Sequence, residues 1–161
     1  MRKNTLIALL LLALSLPTIV SAHCEIPCGI YADKMRIDMI KEHITTIEIS
    51  MKQITELEQD NPINYNQLVR WIDNKDDHAN KIQEIVSQYF MTQRIKLVDE
   101  SDKESMEKYE KEISLLHKML IFAMKTKQTT ELKYCDKLQE LVDDFYSIYF
   151  TKEQKSHHHN N

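Results

Sequence analysis

The sequence predicts an all-α protein: an up-down-up-down four-helix bundle preceded by a non-helical N-terminal arm. Three observations carry this expectation. The 161-residue chain has one Gly and three Pro, too few turn formers for a sheet-rich fold. Hydrophobic residues at 42% and charged residues at 29% supply both a core and solvated helix faces. Within four separate stretches, apolar residues recur at alternating steps of three and four.

The first stretch carries Ile37, Ile40, Ile44, Ile47, Met51 and Ile54, and Asn61-Pro62 ends it. The second carries Tyr65, Leu68, Ile72, Ala79, Ile82, Val86 and Tyr89, with Asp76 interrupting the stripe. Residues 91–98 can extend it, and residues 90–101 form the longest irregular connection. The third carries Met106, Tyr109, Ile113, Leu116, Leu120 and Ala123; the fourth carries Leu132, Cys135, Leu138, Val142, Phe145 and Ile148. A repeat near 3.5 residues is the seam of helices packed almost antiparallel. Asp33, Asn64 and Thr129 are N-cap candidates, and Ser101-Asp102 with Glu104 can open the third helix.

Residues 1–22 read as a secretory signal peptide rather than as fold. Arg2 and Lys3 begin it, residues 6–16 are apolar except Ser15, and Val20-Ser21-Ala22 suits a signal peptidase. The apolar run is too short to span a membrane. Export to the periplasm or the extracellular space follows, with no membrane association after removal. Without Arg2 and Lys3, 19 basic residues face 25 acidic ones. No basic cluster is present to neutralise a phosphate backbone, which excludes nucleic-acid binding.

Several residues take a plain structural reading. Cys135 lies on the fourth stripe and behaves as a small buried hydrophobe. His43, His78 and His117 stand singly on helices, as surface or interface residues. Glu42-His43 and Asp77-His78 lack the second His, four residues on, of a zinc-protease helix. Residues 152–161, with His157, His158 and His159, form a polar tail.

The chemistry concentrates in SAHCEIPCGIY, residues 21–31. In an exported chain Cys24 and Cys28 can close a small disulfide of modest stabilising effect. A lipid anchor on Cys24 requires a small residue before it, and His23 stands there instead. A metal site uses every residue. Cleavage after Ala22 frees an α-amine on His23, whose pKa of about 7.7–8.0 makes proton loss to a metal cheap. The Cys24 amide nitrogen lies between that amine and the Cys24 thiolate, so fused chelate rings can form. Cys28, brought back through a Pro27 turn, adds a second sulfur. Two nitrogens and two sulfurs in a plane suit Ni(II) or Cu(II) rather than tetrahedral zinc.

With His23, Cys24, Pro27, Cys28 and Tyr31 in the register H-C-x-x-P-C-x-x-Y, the chain resembles the nickel superoxide dismutases. The resemblance covers the hook, residues 23–31, and a bundle over residues 32–151. It implies one nickel ion per subunit, bound by the His23 amine, the Cys24 amide nitrogen, and the Cys24 and Cys28 thiolates, with the His23 imidazole joining when the metal is oxidised. It implies a cis Pro27, a homohexamer, and superoxide as substrate, converted to O2 and H2O2 by Ni(II)/Ni(III) cycling. Tyr31 would guard the metal, with Tyr89 as its partner. Asp38 matches the family's carboxylate that fixes the histidine ring, one carbon shorter than the usual Glu. The matching arginine position falls near Asn74, leaving Arg70 or Lys75 as substitutes. The competing expectation is a secreted Ni or Cu carrier with the same hook and no turnover.

Overall fold

The computed structural model describes residues 32–150. The segments expected as signal peptide, hook and tail lie outside the described residues. Four helices run in sequence: α1 (Asp33–Leu57), α2 (Tyr65–Glu84), α3 (Lys103–Gln128) and α4 (Lys133–Tyr149). Each packs on its neighbours in the chain, and α1 also packs on α4, which closes the ring of a four-helix bundle. No strand occurs among the described residues, and no described helix is long and apolar enough to cross a membrane.

The apolar stripes form the core. All six predicted residues of α1 are buried, as are Ala79, Ile82 and Val86 of the second stretch and Cys135, Leu138, Val142 and Phe145 of the fourth. The second stretch begins differently from expectation. Tyr65 and Ile72 are exposed at 68% and 38%, while Leu68 and Trp71 between them are half-buried. On α3 the buried line is Glu112, Leu116, Met119, Ala123 and Thr126, so Met119 sits where Leu120 was expected. Glu112 is one of the few charged residues inside, and burial pushes its carboxyl above the usual range, against the pull of Lys108.

Two predicted caps occur in the structure. Asn64 accepts the Gln67 N–H at 3.2 Å, and Asp102 accepts the Ser105 N–H at 3.2 Å. Two do not. Thr129 ends α3 and its hydroxyl accepts the Glu131 N–H, while Leu132 precedes α4 without a side-chain cap. Asp33 is the first residue of α1, not its cap, and its carboxylate is used elsewhere.

The second helix does not stop at Glu84. It continues as a π-helix, Ile85–Arg94, in which carbonyls are met from five residues on rather than four. The Ile95 N–H donates to the Phe90 carbonyl, and two side chains repeat the same spacing. Thr92 Oγ1 donates to the Ser87 carbonyl at 2.7 Å, and Gln93 Nε2 to that of Gln88 at 3.1 Å.

Lys75 is 3% exposed and its Nζ donates to the Thr126 and Lys127 carbonyls at 2.8 and 2.7 Å. It thereby satisfies the end of α3 and places a cation at the negative pole of that helix. Lys75→Ala should lower unfolding free energy by about 2–3 kcal/mol, the usual cost of losing charged hydrogen bonds to buried carbonyls. Urea denaturation followed by helical circular dichroism measures this; an unchanged midpoint would remove Lys75 from the structural role.

Candidate metal centre

In an up-down bundle the start of α1, the end of the second helix and the end of α4 share one pole. At that pole stands Asp33, two residues after Tyr31. Its Oδ1 accepts the Tyr89 hydroxyl at 2.6 Å and Arg94 Nε at 2.8 Å; its Oδ2 accepts Arg94 Nη2 at 2.6 Å and the Tyr149 hydroxyl at 2.8 Å. The Arg94 contact is bidentate, the strongest form of arginine–carboxylate pairing. Tyr89 in turn accepts the backbone N–H of Ala32 at 3.0 Å. The chain emerging from the expected hook is therefore fastened to the bundle one residue after Tyr31.

The π-helix makes this convergence possible. On an α-helix, residues five apart lie about 140° apart around the axis. Tyr89 and Arg94 are five apart, yet both reach one carboxylate. The aromatic floor beneath them is tightly built: Phe90 meets Tyr89, Phe145 and Tyr149 edge-on, with ring centroids 5.1–5.7 Å apart. Arg36 lies with its guanidinium 5.1 Å above the Tyr89 ring, and its Nε has no hydrogen-bond partner among the described residues.

These contacts fix protonation. Burial pushes the Asp33 carboxyl up, but the bonds from Arg94, Tyr89 and Tyr149 outweigh it and hold the group below its ordinary value. Burial and the Asp33 anion push Tyr89 up to about 12. Tyr149 rises for the same reasons. Both tyrosines thus remain hydroxyl donors at any physiological pH, rather than phenolate ligands.

Of the residues singled out from sequence, His23, Cys24, Pro27, Cys28 and Tyr31 lie outside the described residues. Tyr89 is at the pole. Asp38 is exposed on α1 and pairs with Lys34 at 2.6 Å. Asn74 donates to Ser50 Oγ, Arg70 is exposed, and Lys75 is committed to the α3 carbonyls, so none of the three pairs with a carboxylate of α1. The arginine–carboxylate pair at this pole is Asp33–Arg94. Sequence reasoning missed Asp33, Arg94 and Tyr149 as a group, although an up-down reading already places their three helix ends together. Cys135 is buried with Sγ 3.7 Å from Met51 Sδ, and burial raises its thiol to about 12, as suits an inert core residue. Among the described residues, no three His, Cys, Asp or Glu side chains gather as a metal set.

Asp33→Asn should cost about 2–3 kcal/mol, from weakened charged hydrogen bonds. The pH dependence has a definite sign. A carboxyl with a depressed folded pKa stabilises above its unfolded value of 3.8 and loses that contribution as pH falls below it. The substituted chain should therefore lose less stability than the parent between pH 4 and pH 2. Thermal melts across that range test this; parallel curves would place the acid sensitivity elsewhere.

The chain matches the sequence model of nickel-containing superoxide dismutases over residues 18–153, a span that includes the hook positions and all four helices. No curated protein and no solved structure matches it. A four-helix bundle and a match over most of its length establish that the chain belongs to the nickel-containing superoxide dismutase family, enzymes with nickel as their cofactor.

Proposed function

We propose that this dismutase holds its nickel in the hook of residues 23–31, after removal of residues 1–22 on export. The observation that carries the reading is the register of His23, Cys24, Pro27, Cys28 and Tyr31 directly behind the cleavage signal. The donor chemistry fits the metal: an amine, a deprotonated amide nitrogen and two thiolates would be strong donors, three of them anionic, that favour a higher oxidation state, and the His23 imidazole would add a further nitrogen. Bound nickel supplies a one-electron Ni(II)/Ni(III) couple able to oxidise one superoxide to O2 and reduce another to H2O2.

The protein's own residues then have separate tasks. Asp33, Arg94 and Tyr149 fix the start of α1, which follows the hook directly in the sequence. Tyr31 and Tyr89 border the approach and hold substrate and water without binding the metal. The Arg36 guanidinium over Tyr89 supplies positive potential to an anionic substrate in a net acidic protein. Assembly into a homo-oligomer, the hexamer expected by resemblance, is supported by the exposed apolar line Tyr65, Val69 and Ile72 on α2. A carrier using the same hook would bind nickel without turnover, so activity separates the two readings.

Amine ligation makes the cut position decisive. A chain beginning at Ala22 turns the His23 amine into an amide, a far poorer donor, and leaves the helices untouched. It should fold as the chain beginning at His23 does, yet hold little nickel and show little activity in stopped-flow superoxide decay. Equal activity from both, with termini confirmed by mass spectrometry, would refute amine ligation. Cys24→Ser and Cys28→Ser should each abolish nickel binding with helicity retained.

Tyr89→Phe should keep its nickel but alter turnover or sensitivity to small anions, and cost about 1–2 kcal/mol of stability through the lost bond to Asp33. Nickel content, activity and melting temperature are measured together. Loss of metal from the folded variant would make Tyr89 a ligand and overturn its assignment as a gate.

A further inference from the structure

His43 and His78, which the sequence presents as single residues, meet in the structure. Their Nδ1 atoms are 3.1 Å apart across the α1–α2 seam, with ring centroids at 4.9 Å and planes at 79°. We propose that this pair is a second, solvent-open metal site, taking a borderline divalent cation such as Zn(II) or Ni(II) on the two Nδ1 atoms, with water in the remaining positions.

The geometry suits a shared cation. With metal–nitrogen bonds of 2.0–2.1 Å, cis or tetrahedral ligands stand about 2.9–3.3 Å apart. The observed spacing falls within that range; with the donor ring's proton moved from Nδ1 to its own Nε2 and the rings turned, both Nδ1 lone pairs are free for one metal ion. Both rings are half-buried, which keeps them positioned and still open to solvent. Burial first, then the facing imidazole and Lys81 for His43 and Lys81 for His78, hold both pKa values below the ordinary 6.5. Two neutral imidazoles are what a cation needs, since no proton has to be displaced from a charged ring. Around them stand Glu42 from α1 and Asp77 and Lys81 from α2, a balance of one negative charge. Only two protein donors are offered, so the bound ion exchanges readily. The site is also separate from the hook root: His43 lies ten residues along α1 from Asp33, about 15 Å. Imidazole is a good ligand for all these cations, with affinity rising from Ni(II) to Cu(II).

The test uses the full chain with the hook and tail donors removed: Cys24→Ser, Cys28→Ser, and His23, His157, His158 and His159 each changed to Ala. Calorimetric titration with Zn(II) and Ni(II) at pH 7.5 should show one saturable site, and the cation should raise the melting temperature. Adding His43→Ala or His78→Ala, each shown folded by circular dichroism, should weaken binding by at least about tenfold and abolish the thermal shift. His43→Asn, which keeps a polar partner for His78, should behave as His43→Ala does. X-ray absorption of the zinc-loaded chain should show two imidazoles near 2.0–2.1 Å. Unchanged binding after either histidine substitution would place the cation elsewhere, as on His117. No saturable binding up to 1 mM metal would leave the pair a hydrogen-bonded contact and end the proposal.

Discussion

The pole of the bundle depends on one carboxylate. Asp33 offers about four acceptor sites, and four donors occupy them: two from Arg94, one from Tyr89 and one from Tyr149. Those donors come from the end of the second helix and the end of α4, while Asp33 itself starts α1. A partly buried charge with unfilled valences would be costly, and one this well satisfied is stable and directional. The arrangement also agrees with the helix dipoles, because an anion begins α1 and a cation ends the π-helix. Whatever precedes Ala32 is thus attached to a point where three helices are already tied.

The π-helix is the local irregularity that allows this. In an α-helical continuation Arg94 would lie about 140° around the axis from Tyr89. Widening the turn brings residues five apart toward one side and keeps Ile85, Val86, Tyr89 and Phe90 inside. Thr92 and Gln93 help by adding side-chain bonds at the same five-residue spacing, so the wide turn is written into the polar face as well as the core. Such turns concentrate at functional sites because they trade regular helix for the placement of a particular side chain. Here the side chain placed is an arginine, and its partner lies next to the expected hook.

This division explains what the sequence disclosed. Burial follows period, so the α1 stripe and the inert character of Cys135 could be read directly. Asn64 and Asp102 could be read as caps because a cap is a contact three residues away. Asp33 could not, since an Asp before a helix serves equally as a cap or as a first-turn anion, and only partners 56 and more residues away decide between them. The His43–His78 contact was hidden for the same reason: a helix records its own face but not the residue opposite. The hook expected from the sequence is a local motif, all of its positions falling within nine residues, so it needs no contact between distant elements to be read. The Asp33–Arg94 pair was not legible, because its partners stand 61 residues apart and meet only where the π-helix carries Arg94 toward the start of α1.

The protonation of the cluster bears on what Tyr89 can do for catalysis. Superoxide reduction consumes protons, and a tyrosine hydroxyl is an obvious source to consider. Yet the Tyr89 proton is directed at Asp33 Oδ1 over 2.6 Å, and losing it is opposed up to about pH 12. Giving that proton away would leave a phenolate beside a carboxylate in a half-buried place, two like charges with one arginine between them. The same cluster keeps Asp33 ionised, so neither group changes charge across the range in which the enzyme works. A network with constant charge can hold and orient; it cannot relay. The protons of dismutation therefore have to come from groups less firmly bound than Tyr89, whose hydroxyl is committed to Asp33.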